Sequence, residues 1–195
     1  MIEDPYTYDI TDFAREFTWS IIFWNLAETN ARWLLAGILG GKAPVHALVA
    51  DLGSRSLADA LRSAARGLED ETMRLHIEHF CKGYNALGEH RNLYVHGLAS
   101  LGMGEPDANN VKPMHGYIMT TKGRGRWKTI DLELPTTEIS KFKDYCQKLL
   151  NYGKAITNHL GLADALEGML GMPEPSLEMP EWPAPPATRI QHIQD

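Results

Sequence analysis

Three long stretches with apolar residues at helical spacing constrain this chain most, because each apolar face has to be buried against another element. Between Thr11 and Leu39, Phe13, Phe17, Ile21, Trp24, Ala31 and Leu35 recur three, four or seven positions apart. Thr11 or Asp12 offers an N-cap and Gly40-Gly41 a stop. From Glu69 to His96, Met73, Ile77, Phe80, Tyr84 and Leu87 stack on one face, and Gly97 follows as a terminator. A last helix opens at Pro135-Thr136-Thr137-Glu138, carries Ile139, Phe142, Cys146, Leu149, Ile156 and Leu160, and ends near Gly161.

The text between these helices is shorter-ranged. Pro44 to Gly67 reads as one or two small helices broken at Gly53-Ser54, with Ser54 or Ser56 as a cap and Leu57, Leu61 and Ala65 inward. After a connection from Gly102 to Pro113, Tyr117–Thr121 and Trp127–Leu134 read as a β-hairpin turning at Gly123-Arg124-Gly125. Prolines 173, 175, 180, 183, 185 and 186 then prevent helix and favour an extended, poorly ordered tail. At 195 residues and 44% hydrophobic content there is room for one domain with a sizeable core. The expected architecture is mainly α: an up-and-down bundle of four to five helices over residues 1–162, with a hairpin at about 115–134 before the last helix and a Pro-rich tail at 163–195.

Several function classes recede on composition. A net charge of -6 disfavours a protein that coats nucleic acid generally, since phosphate contacts need cations. Trp19 to Leu39 is interrupted by Asn25, Glu28, Asn30 and Arg32, too polar for a membrane span. The N-terminus lacks a basic region leading into an apolar stretch, and Cys81 and Cys146 do not form a Cys-x-x-Cys pair; a cytoplasmic protein with reduced thiols and no membrane partner is expected. His76 and His79, with Glu78 and the later His90, fall short of a tetrahedral ligand set, so no metal is expected. Gly37-Ile38-Leu39-Gly40-Gly41-Lys42 lacks the spacing of a phosphate-binding loop, and no cofactor is expected either.

The segment that invites chemistry is Arg91-Asn92-Leu93-Tyr94-Val95-His96. Arg74 and His79 share its spacing, but Arg74 is followed by Leu75 and sits early in its helix, whereas Arg91 is followed by an amide and His96 by a helix-stopping glycine. Arg91 continues the stripe of Tyr84 and Leu87, which predicts that it points toward the packed side and needs a partner there. Asn85, Glu89, Asn92 and His96 run beside it as a polar stripe.

An arginine, a polar residue, three more residues and a histidine late in a long helix resemble the motif of the HEPN (higher eukaryotes and prokaryotes nucleotide-binding) domains, with Arg91, Asn92 and His96 at the matching positions. The resemblance implies a homodimer that brings two motifs into one cleft and cuts RNA without a metal, leaving a 2′,3′-cyclic phosphate. RNA supplies its own nucleophile in the 2′-OH, so proton transfer by His96 and phosphate stabilisation by Arg91 suffice, with Asn92 orienting the imidazole or touching ribose.

Glu28, on the inward stripe of the first helix, is a candidate to orient Arg91 through a carboxylate pair, and Glu89 a second supporting acid. Lys122, Arg124, Arg126 and Lys128 around Trp127 concentrate positive charge suited to RNA, although edge strands carry such residues simply to block aggregation. Some toxin members carry a modified tyrosine two positions after the histidine; Leu98 stands there, so that control does not transfer and an antitoxin or regulatory protein stays an open expectation. The alternatives are a noncatalytic HEPN-like module that binds a nucleotide, RNA or protein, and a structural polar cluster closing a helix end.

Overall fold

A computed structural model describes residues 7–9, 11–103, 105, 106, 108, 111–122, 128–162, 176–184 and 190–191. Its order is β1 (Thr7–Asp9), α1 (Thr11–Ile38), α2 (Ala43–Ala50), α3 (Ser54–Ala65), α4 (Glu71–Gly97), β2 (Leu98–Met103), β3 (Val111–Lys122), β4 (Lys128–Pro135), α5 (Thr136–His159) and β5 (Ile190–Gln191). The chain is mainly helical with a hairpin, β3–β4, inserted before the last helix, as its periodicity predicts. No helix among the described residues is long and apolar enough to cross a membrane.

Local chemistry explains the ends. Gly40 and Gly41 adopt φ of 98° and 64°, and the Gly41 amide donates back to Ala36 O at 2.8 Å, closing α1 as a left-handed glycine pair does. Asp70 caps α4 by accepting from the Met73 amide at 3.1 Å. Ser54 does not cap α3: the N-cap is Gly53 without a side-chain bond, and the Ser54 hydroxyl donates instead to Glu28 Oε1 at 3.0 Å.

Contacts divide the chain into two compact units, one of residues 1–21, 89–143 and 184–195, the other of residues 22–88 and 144–183. The second is helical. Trp24 of α1 stacks on Tyr84 of α4 at 4.9 Å between centroids, and Leu57, Leu61 and Ala65 of α3 are buried, as is the whole stripe Met73, Ile77, Phe80, Tyr84 and Leu87. At the α1–α5 crossing, Asn30 Nδ2 donates to Thr157 Oγ1 at 3.3 Å while that hydroxyl donates to Gly153 O at 2.9 Å. Both polar side chains are fully buried; the relay satisfies the Thr157 hydroxyl as donor and acceptor, while Asn30 Oδ1 has no hydrogen-bond partner among the described residues.

The first unit carries the sheet, ordered β1-β3-β4-β5, with β2 also pairing β3. β3 and β4 run antiparallel from His115↔Pro135 to Lys122↔Lys128. Three strands were not expected. Leu98–Met103, to which the sequence assigned no element, pairs antiparallel with β3 across an irregularity between Leu98 and Ser100. β1 adds in parallel at Val111–Pro113, inside the expected connection, and β5 adds to β4 at Thr129 and Ile130. Gly116 permits the close packing here, since a Cβ would meet Leu98 Cδ1 at 2.7 Å and Phe13 Cζ at 3.1 Å.

The tail also departs from expectation. Ser176–Ala184 has no helix or strand, yet it lies against helical residues through Pro180, Trp182 and Ala184. The lack of helix is what the prolines predict; the packing comes from the Trp182 indole, whose apolar surface composition alone did not place, and residues 163–175, 185–189 and 192–195 of the expected tail lie outside the described residues.

Candidate functional site

Arg91, Asn92 and His96 occupy the last turns of α4, in the sheet-bearing unit. Helical side chains lean toward the N-terminus, so His96 tilts back over the turn that holds Asn92, and the long Arg91 side chain reaches both. Arg91 Nη1 donates to Asn92 Oδ1 at 3.2 Å and to His96 Nε2 at 3.1 Å. Guanidinium nitrogens only donate, so Nε2 is the acceptor and the imidazole is the neutral Nδ1–H tautomer in this geometry. Asn92 and His96 are exposed. Arg91 is half-buried: its Nε is buried without a hydrogen-bond partner among the described residues, while Nη1 works at the surface. The expectation that Arg91 points inward therefore holds for its stem and not for its tip.

The turn behind the motif is anchored on the other side of the helix. Leu93 and Tyr94 are buried, and the Tyr94 ring meets Phe142 of α5 edge-on at 5.2 Å. His90 Nε2 lies 2.8 Å from Ala184 O, a pure acceptor, so Nε2 carries the proton and Nδ1 accepts from the Tyr94 hydroxyl at 3.1 Å. His90, Tyr94 and Phe142 thus fix the rotation of α4 that leaves Asn92 and His96 facing water. The sequence reading did not single out this trio for the site; Phe142 on the inward stripe of its helix was the one visible signal.

The supporting candidates are placed as follows. Glu89 is exposed on the turn before Arg91. Glu28, expected at Arg91, belongs to the helical unit, where its Oε1 accepts from Arg32 Nη2 at 2.9 Å and from Ser54. Arg32 reaches Leu52 O as well, at 3.3 Å. Burial pushes the nearby Tyr84 hydroxyl well above the ordinary tyrosine range, with Ser54 lowering it and Glu28 raising it more weakly. Lys122 and Lys128 are backbone partners at the end of the β3–β4 ladder, and Arg124 and Arg126 lie outside the described residues.

The histidines set aside as ligands have other partners. His76 Nδ1 lies 2.7 Å from the Tyr152 hydroxyl, and burial first, then the neighbouring His159 and His79, lowers its pKa. His79 Nε2 lies 2.7 Å from Pro180 O. Among the described residues no group of three or more His, Cys, Asp or Glu is arranged to hold a metal.

Comparison of the chain with protein-family models, with curated proteins and with solved structures gives no match.

Proposed function

We propose that the chain is a metal-independent endoribonuclease of the toxin or defence type, working as a homodimer with a composite Arg/His site. The observation that carries this reading is the convergence of Arg91 Nη1 on Asn92 Oδ1 and His96 Nε2, at 3.2 and 3.1 Å, with the amide and the imidazole open to water. A phosphate entering beside the guanidinium would draw its donors away from His96, freeing the Nε2 lone pair to take the 2′-OH proton as the oxygen attacks phosphorus. Arg91 would then face the charge that grows on the phosphoryl oxygens, and the partner copy's imidazole, entering as the protonated imidazolium, would give its proton to the leaving 5′-oxygen. The products are a 2′,3′-cyclic phosphate and a 5′-hydroxyl.

One observation favours a second reading, a noncatalytic module that binds a nucleotide, RNA or protein: the lone pair a general base needs is already occupied by Arg91. The deciding experiment is cleavage of mixed cellular RNA in excess EDTA by wild type and by folded His96→Ala and Arg91→Ala proteins. The nuclease reading expects cyclic phosphate ends from wild type alone, with each variant down by about 100-fold or more. Intact RNA beside a stable wild-type dimer would refute it in favour of the binding module.

A further inference from the structure

We propose that the face of α4 and α5 around Gly83 is a recognition site for an extended, acidic, proline-flanked tryptophan peptide, occupied in this chain by its own Ser176–Pro183. A separate protein that presents such a stretch would dock by displacing the tail.

Gly83 lies in the interior of a 27-residue helix, where glycine costs about 1 kcal/mol relative to alanine. A Cβ there would collide with the Trp182 indole, so the glycine is a notch that admits the ring. The contact is reciprocal. Trp182 Nε1 donates to His79 O at 3.0 Å, and His79 Nε2 donates to Pro180 O at 2.7 Å. Two directional bonds between the same helical residue and alternate residues of the segment read its backbone position, as peptide grooves do. His79 and Tyr152 flank the indole at 5.5 and 6.2 Å between centroids.

The attachment is that of a ligand rather than of a core strand. Trp182 is half-buried, Met179 is 48% exposed, and Glu178 and Glu181 face solvent. Beside the segment is a cavity of about 410 Å³, lined by Lys148, Asn151 and Tyr152 on one wall and by Glu178 and Glu181 on the other. The lysine suits the peptide's acidic residues, and Asn151 lines the same cavity, its Oδ1 buried and without a hydrogen-bond partner among the described residues.

A tethered segment competes at an effective concentration on the order of 1 mM, so a free peptide of ~100 μM affinity meets about a tenfold handicap until the tail is released. The test uses the full chain carrying Trp182→Ala and a fluorescein-labelled peptide with the sequence of Ser176–Ala184, followed by anisotropy. Binding to this variant is expected to be about tenfold tighter than to wild type, to vanish when alanine replaces tryptophan in the peptide, and to vanish in Gly83→Ala/Trp182→Ala, whose added methyl fills the notch. In the wild-type background, Gly83→Ala alone is expected to expose the tail to limited proteolysis while helical circular dichroism persists. No binding to the folded Trp182→Ala chain, or binding indifferent to Gly83→Ala, overturns the proposal. Global unfolding of either single variant also overturns it, because the tail would then be core.

Discussion

Gly153→Ala tests the packing of the helical unit at its closest helix crossing. On an isolated helix the change would stabilise by about 1 kcal/mol, since glycine is the poorer helix former. Here the added Cβ would land on Asn30 Oδ1 and lie 2.8 Å from Phe80 Cε2. Neither neighbour has free room: Asn30 is 1% exposed and Phe80 is 0%. Asn30 is also held by its Nδ2 bond to Thr157, and flipping the amide is no escape because the Thr157 hydroxyl is already donating to Gly153 O. Overpacking of this kind costs about 1–3 kcal/mol, and breaking a buried hydrogen bond adds about 1–3 kcal/mol. The net expectation is destabilisation by about 2 kcal/mol, or a fall in Tm of roughly 4–8 °C for a chain of this size. Urea unfolding followed by circular dichroism measures it, and Asn30→Ala supplies the control: with the amide removed, only the Phe80 contact opposes the added methyl, and Gly153→Ala should cost less than in the wild-type background. Equal or greater stability of Gly153→Ala in the wild-type background would show that α1 and α5 do not cross as described.

Two further outcomes follow from buried ionisable groups. The Lys143 ammonium, 2.7 Å from Glu16 Oε2, holds the Glu16 carboxyl below its ordinary range against the opposing effect of burial. A depressed folded pKa means stability that is present above the unfolded value, near 4.5, and lost as pH falls through the folded one; Glu16→Gln should therefore cost stability at pH 7 and flatten the acid limb of the unfolding curve, and an unchanged limb would refute the pairing. Burial pushes the Cys81 thiol up to about 12 and the Cys146 thiol higher still, so iodoacetamide at pH 8 should label neither until denaturant is added, whereas rapid labelling of native protein would contradict their burial.

How much was legible depended on the range of the interaction. Termination at Gly40-Gly41 is local, and the inward stripes of α3, α4 and α5 follow from periodicity; both were read correctly from adjacent residues, whereas the Ser54 cap was not. Leu98–Met103 was not, because a short strand with a glycine acquires its identity only when β3 offers a ladder. The site divides the same way. That Arg91, Asn92 and His96 share one helix end is a matter of spacing, whereas the 3.1 Å approach of guanidinium to imidazole depends on rotamers the spacing leaves free. Glu28 was placed on the correct inward face, but its engagement with Arg32 and Ser54 required α3 to be in position.

The sequence by itself determined which segments are helices, which of their faces are buried, where a hairpin interrupts them, and that an arginine, an amide and a histidine meet at one helix end, since all of these rest on repeats and stop signals within a few residues. Only the tertiary structure decided that β1, β2 and β5 join the hairpin, that Trp182 occupies the notch at Gly83, and that His90, Tyr94 and Phe142 fix the rotation of α4 at the motif. Those outcomes join residues far apart in the chain, and their free energies come from burial and hydrogen bonds that do not exist until distant segments meet.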